Sequence, residues 1–368
     1  PGFFLNKENK LIFKEKNIKV LFQETKDKRV ATFLKKNGYE VIEVPNNKFI
    51  NLKNKVKIKI VKFGYIDSAL IIEGSNEKIL NLNDCPLNEI EKIKEFRKKH
   101  GRFDLLLTQF SYAAWKGNED NKSFRKKAAS EKLETIINQF KILECKKVIP
   151  FASFIYFSNK LNKFMNDEIN KPHIFQSYLG KKIDSIILAP EEQQLIQELK
   201  QNDNSLKFWK TQYENIDNLN YDTFDHSINF ETLKQEYTKY RDKILNLNSK
   251  ILIYITSKIK FLNFFQPINI FLHDHNSYYE FSLVNGFKKT ENTKNDISMH
   301  SESLLFIFKN DFGYDTLTVN GCFNATKDGF IKTTRSFAIG SLNSMGLRLN
   351  LNLIFNYNLI LFFLKLLR

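Results

Sequence analysis

Paired soft ligands are missing from this 368-residue chain: Cys85, Cys145 and Cys322 lie far apart, and no Cys-x-x-Cys or Cys-x-His pair occurs. Zinc ribbons, ferredoxin-type clusters and a Rieske centre each need such ligands at close spacing, so the chain carries none of them. An odd, scattered set of thiols also argues against a disulfide framework and for a reducing, cytoplasmic setting. No basic run is interleaved with aromatic residues, and no RNA- or DNA-binding signature appears. The net charge of +16 is spread over scattered lysines, so no nucleic-acid partner is expected. There are no internal repeats and no signal-peptide pattern. Pro1 is not an initiator methionine, and the opening reads as that of a fragment that begins inside a domain.

What is present suffices for a sizeable core: 42% of residues are hydrophobic, 35 of them Phe, in a length that allows one large or two ordinary domains. Thr25 to Asn37 reads as a helix closed by Gly38 in the left-handed position. Val56, Ile58 and Ile60 alternate with Lys55, Lys57 and Lys59 as in a half-solvated strand. Ala69 to Ile72 continues as a buried strand, and the Gly74-Ser75-Asn76 turn leads into Lys78 to Leu82. Asn88 is the expected N-cap of a helix running to Lys99. The strand Asp104 to Leu107, a charged helix around Ser130 to Lys141 and the strand Lys147 to Ile149 complete an alternation that predicts an α/β layer, with ligands at the carboxyl ends of strands. From Pro190 to about Ser249 the pattern is helical and polar. Ile251 to Ile255, His273 to Phe281, Ser303 to Phe308 and an Asp315 to Phe323 hairpin read as β structure. The expected division is therefore 1–185, a helical connection 186–250, a smaller β-rich α+β domain 251–345 and an apolar tail 346–368.

Four segments could carry chemistry. Asn81-Leu82-Asn83-Asp84-Cys85-Pro86 sets a carboxylate just beyond a buried strand, where it could hold a metal ion or cap the next loop. Phe63-Gly64-Tyr65-Ile66-Asp67-Ser68 is a turn whose polar side chains could line a site or cap the turn. Leu107 to Tyr112 and Pro150 to Ser158 place small and hydroxyl residues after strands, suited equally to a polar ligand or to packing. His273-Asp274-His275 is a rival metal pair, because residues two apart on a strand point the same way. Asp225-His226 reads as a capping pair. Leu349 to Leu367 is strongly apolar but falls short of about 18 clean apolar residues; it is either a terminal element packed on the second domain or a peripheral membrane contact.

These segments, in this order, resemble the metallo-β-lactamase fold family over roughly Lys16 to Leu179, and more loosely at Phe312-Gly313-Tyr314-Asp315-Thr316-Leu317 with Gly321. The branch they are most similar to contains CMP-N-acetylneuraminate hydroxylase and the UDP-N-acetylmuramate hydroxylases. The resemblance implies a partial αββα sandwich and a metal-dependent hydrolase or hydroxylase-like enzyme acting on an N-acylated sugar nucleotide or related amide. It makes Asp84 a ligand of zinc or iron and Asp67 a second, with Tyr65, Asn83, Tyr112 and Ser153 shaping the substrate pocket. The family's His-x-His-x-Asp-His motif is absent, so the ligand set is incomplete in this chain. A hydroxylase of this branch implies a Rieske or other electron-transfer protein as a separate partner. The competing class is a non-catalytic binding protein of the same fold in surface-glycan biosynthesis.

Overall fold

The computed structural model describes residues 18–25, 28–64 and 67–350, apart from the Asp217 side chain. Tyr65 and most of the apolar tail lie outside the described residues. The chain forms two compact units, the first built from residues up to Tyr112 with Ala128–Ile155 and Ile169–Asn218, the second from Ala113–Lys127, Tyr156–Glu168 and the residues from Leu219 on.

In the first unit β1 (Lys19–Gln23), α1 (Arg29–Lys36) and β2 (Glu40–Val44) form a small β-α-β piece in which β1 and β2 pair in parallel, apart from the main sheet. Gly38, at φ +85°, follows α1 as its sequence position predicts. The main sheet has six strands in sequential order: β3 (Phe49–Asn51), β4 (Lys57–Phe63), β5 (Asp67–Glu73), β6 (Lys78–Asn83), β7 (Leu105–Thr108) and β8 (Lys147–Pro150). β3 to β6 are antiparallel neighbours, and β6, β7 and β8 run parallel. Parallel neighbours need crossovers, and these are α2 (Ile90–His100) and α3 (Lys122–Ile142). The N-cap residue of α2 is Glu89, with no side-chain cap, so Asn88 does not serve as the expected N-cap.

Side chains alternate across this sheet. Val61, Ala69, Ile71, Leu80, Leu82, Leu106 and Val148 pack under Ile93 and Phe96 of α2, Ile136 and Ile137 of α3, and Phe175 and Leu179 of α4 (Pro172–Leu179). On the other face Leu105 and Ile149 meet Ile186 and Leu199. α5 (Asp203–Glu214) completes the unit and carries Trp209, which stacks on Phe154 at 4.1 Å. The mixed α/β class expected from sequence is the one observed.

The part of the second unit from Leu219 on carries first α6 (Phe230–Leu247) and α7 (Lys250–Lys258). A five-stranded sheet follows, made of β9 (Ile268–Leu272), β10 (Ser277–Ser282), β11 (Gly286–Thr290), β12 (Ile297–Met299) and β13 (Phe323–Ala325), in the order β11-β10-β9-β12-β13. Helices α8 (Ser301–Lys309), α9 (Gly313–Asn320) and α10 (Lys327–Ser344) are interspersed. Leu233, Tyr237, Tyr240 and Ile244 of α6 recur at helical spacing and pack into an aromatic core with Phe281, Phe287, Phe308 and Phe337.

Three apolar runs read as strands are helical here. Ile251 to Ile255 lies in α7, Ser303 to Phe308 in α8, and the expected Asp315 to Phe323 hairpin is α9 followed by β13. Short apolar runs carry no period that separates a strand from a buried helix, and tertiary burial decides: Leu304, Ile307 and Phe308 share the buried face of α8. Gly321 at φ +74° ends α9, and an added Cβ there would stand 2.1 Å from Met165 Cε.

Candidate functional site

One end of the six-stranded sheet gathers the carboxyl ends of β4, β6, β7 and β8 and the start of β5. Asp67 opens β5 and Asp84 follows β6, its antiparallel partner, so the hairpin carries both carboxylates to this end. A bulge between Asn81 and Asn83 shifts the pairing of β6 with β7, and Asn83 adopts φ +47°. Bulges re-aim side chains at strand ends, and this one turns Asn83 and Asp84 out of the ladder into solvent. Asn83 Nδ2 donates to Asp84 Oδ1 at 3.0 Å.

Burial raises the Asp67 carboxyl above its ordinary value, and the Asp84 charge raises it further. The two carboxylates therefore sit close enough for the Asp84 charge to be felt at Asp67. Because the folded chain holds the Asp67 proton more tightly than the unfolded chain, ionising Asp67 costs stability, and lowering the pH through its folded pKa relieves that cost. Cys85, next to Asp84 in sequence, is pushed up to about 12 by burial and then by the Asp67 and Asp84 charges, so its thiol is protonated at neutral pH and is no ready nucleophile.

Ala152 and Ser153, just past β8, are both left-handed, at φ +53° and +62°. Two consecutive non-glycine residues in this region store backbone strain of the kind that clusters at ligand sites. Ser153 Oγ is buried and has no hydrogen-bond partner among the described residues. Tyr112, by contrast, is 1% exposed and belongs to the core. It lies four residues beyond the end of β7.

Buried polar groups hold these loops. Thr108 Oγ1 donates to Gln139 Oε1 at 2.8 Å, and Gln139 Nε2 donates to the Leu87 carbonyl at 2.9 Å, which ties the end of β7, α3 and the loop after Asp84 together. Asn170 Nδ2 donates to the carbonyls of Phe110 and Ala129, while its backbone N–H donates to Ser111 Oγ. Replacing Thr108 with valine strands Gln139, itself 2% exposed, and is expected to cost about 1–3 kcal/mol. A denaturation midpoint followed through Trp209 checks this; an unchanged midpoint would show that the network is dispensable.

Zinc or a diiron centre needs at least three converging protein ligands. Among the described residues no group of three or more His, Cys, Asp or Glu could hold a metal ion. Asp67 and Asp84, two carboxylates without a converging third ligand among the described residues, do not fit such a group.

The histidines lie elsewhere. His100 is buried, packs its ring at a tilt against Phe96 and has Nδ1 3.1 Å from Lys59 Nζ; burial and then the Lys59 charge lower it to about 4, so it is neutral. His173 also has a lowered pKa, from burial first, and its Nδ1 is buried without a hydrogen-bond partner among the described residues. Periodicity gave no hint of that orphan nitrogen. The rival pair is corrected as well: His273 and His275 occupy the turn between β9 and β10, so strand alternation does not align them. His275 Nδ1 lies 2.7 Å from Tyr279 Oη and Nε2 lies 2.7 Å from the Ile228 carbonyl, which leaves neither nitrogen for a metal. Asp274 accepts from Ser227 Oγ, Ser301 Oγ and the Ser301 amide, at the start of α8. Asp225 and His226 cap no helix; Asn229 caps α6, and the His226 amide donates to Glu302.

No family model matches the chain, and no curated protein does. Among solved structures, CmlA, a diiron β-hydroxylase from Streptomyces venezuelae, is similar with a TM-score of 0.30 and 12% identity, over 45% of this chain and 38% of that one. A point mutant of CmlA β-hydroxylase gives a TM-score of 0.31 and 13% identity over 46% and 38% of the two chains. The chain thus spans less than two-fifths of the length of these proteins. Function has to be read from the chain's own residues.

Proposed function

We propose that the first unit binds the N-acylated sugar end of a sugar nucleotide, or a related acyl amide, at the carboxyl ends of β6 and β8, and does so as a binding module without a resident metal. The observation that carries this reading is the donor set: two carboxylates, an exposed Asn83 amide and a protonated thiol, with no third metal ligand among the described residues. Carboxylates accept hydrogen bonds from sugar hydroxyls and from an amide N–H, and Ser153 Oγ and the Asn83 amide can meet an acyl carbonyl.

One observation favours the second reading, a metal-dependent hydrolase or hydroxylase-like enzyme whose remaining ligands come from outside these residues. Asp84 raises the Asp67 pKa, and a cation between two such carboxylates would relieve their repulsion.

Calorimetry with UDP-N-acetylglucosamine, alone and with zinc or ferrous iron, separates the two, with the Asp67 pKa followed by NMR. The binding reading expects sugar-nucleotide affinity that needs no metal and falls on the order of tenfold in Asp84→Ala, the loss of a charge-assisted hydrogen bond. Asp84→Asn should also lower the Asp67 pKa. Tight stoichiometric metal that Asp84→Ala abolishes would sink the binding reading and favour the enzyme. Absence of any ligand effect from Asp84 would sink both.

A further inference from the structure

Helix α7 is turned inside out. Its buried residues are Ile253 and Ser257, whereas Ile251, Tyr254 and Ile255 are 70%, 52% and 49% exposed and Phe261, just beyond, is 81% exposed. Ile251, Tyr254, Ile255 and Lys258 stand at i, i+3, i+4 and i+7, which is one face of a helix. Burying that face inside this unit would have been the ordinary use of such a sequence, and the fold instead seats the serine inward.

Along the chain, the charges that flank the stripe are all of one sign. Lys250, Lys258 and Lys260 border it, and Lys258 Nζ lies 5.1 Å above the Tyr254 ring. No Asp or Glu occurs from residue 243 to 273, nor from residue 329 to 368. These two carboxylate-free stretches meet at the start of α7: the Ser249 amide donates to the Leu349 carbonyl at 2.8 Å, and the Leu349 amide donates to Asn248 Oδ1 at 2.8 Å. Leu349 therefore lies beside the N-terminus of this helix. No helix among the described residues is long and apolar enough to cross a membrane.

We propose that the outer face of α7, with Phe261, docks on an anionic lipid bilayer. Aliphatic and aromatic side chains on one face, aromatic rings at the headgroup level and a lysine border without carboxylates are the requirements of an interfacial helix. A protein partner would need acidic groups to meet the same border and is the weaker fit, because the stripe offers only the Tyr254 hydroxyl and the Lys258 ammonium to specify it.

The test is co-sedimentation of the full chain with vesicles of phosphatidylcholine alone and of an equal mixture with phosphatidylglycerol. Binding to the mixed vesicles, weakened by salt, is expected, and the pair Ile251→Ser with Phe261→Ser should weaken it by about tenfold or more. Lys258→Glu with Lys260→Glu should remove the preference for the anionic lipid. All four side chains are exposed, so the melting temperature should hold and a lost fold is distinguishable from lost docking. No binding, or binding that the Ile251 and Phe261 variants leave intact, overturns the proposal. So does a dimer by light scattering that Phe261→Ser dissolves.

Discussion

Arg125→Ala is expected to destabilise the second unit by about 3–5 kcal/mol, the usual consequence of breaking a buried ion pair from one side. Arg125 is 1% exposed. Its Nε and Nη2 donate to the two Asp167 oxygens at 2.8 and 2.7 Å, Nη1 donates to the Asn118 carbonyl at 2.5 Å, and Nη2 also donates to the Glu119 carbonyl at 2.9 Å. The Phe164 ring covers the guanidinium at 5.0 Å. Truncation leaves two carbonyls and a carboxylate without their donors. Lysine offers one point charge in place of a planar fork, so Arg125→Lys should recover only part of the loss. The chain has two tryptophans, Trp115 in the second unit and Trp209 in the first. A Trp209→Phe background thus lets Trp115, stacked against both Phe323 and Phe330, report the second unit alone. A midpoint in that channel unmoved by Arg125→Ala would show that the pair is not structural.

Gly329→Ala is expected to cost about 1–3 kcal/mol or more, as overpacking does where the neighbour cannot move. A Cβ on Gly329 would stand 2.0 Å from the Asp296 carbonyl oxygen. That backbone is pinned, because the Asp296 amide donates to the Asn269 carbonyl, its Oδ2 accepts from the Asn269 amide, and Lys332 Nζ lies 2.6 Å from the same oxygen. Gly340, on the same helix, is the control. Its nearest contact would be 3.4 Å from the Asp311 carbonyl, so Gly340→Ala should be tolerated or raise stability by about 0.5–1 kcal/mol through helix propensity. Equal effects at the two positions, read through Trp115, would refute the close approach of α10 to Asp296.

The sequence alone determined the parts that rest on local chemistry. Alternation made β4 readable and a buried apolar run β5, the Gly74 to Asn76 turn announced their neighbour β6, and Gly38 and Gly101 marked helix ends because only glycine reaches those left-handed or open conformations without strain. It also brought Asp67 and Asp84 to one sheet end, since a hairpin returns the chain to its own starting edge. Tertiary structure decided the rest. Ile251–Ile255 and Ser303–Phe308 were equally good strands or helices by composition, and only the face that packing buried separated the two. Tyr112 stood beside the site in sequence yet went into the core, and His273 and His275 lost their alignment because β9 stops at Leu272 and the chain turns. The outward stripe of α7 was beyond the sequence for the same reason: its composition says that the helix has an apolar face, and only the packed neighbours say which way that face looks.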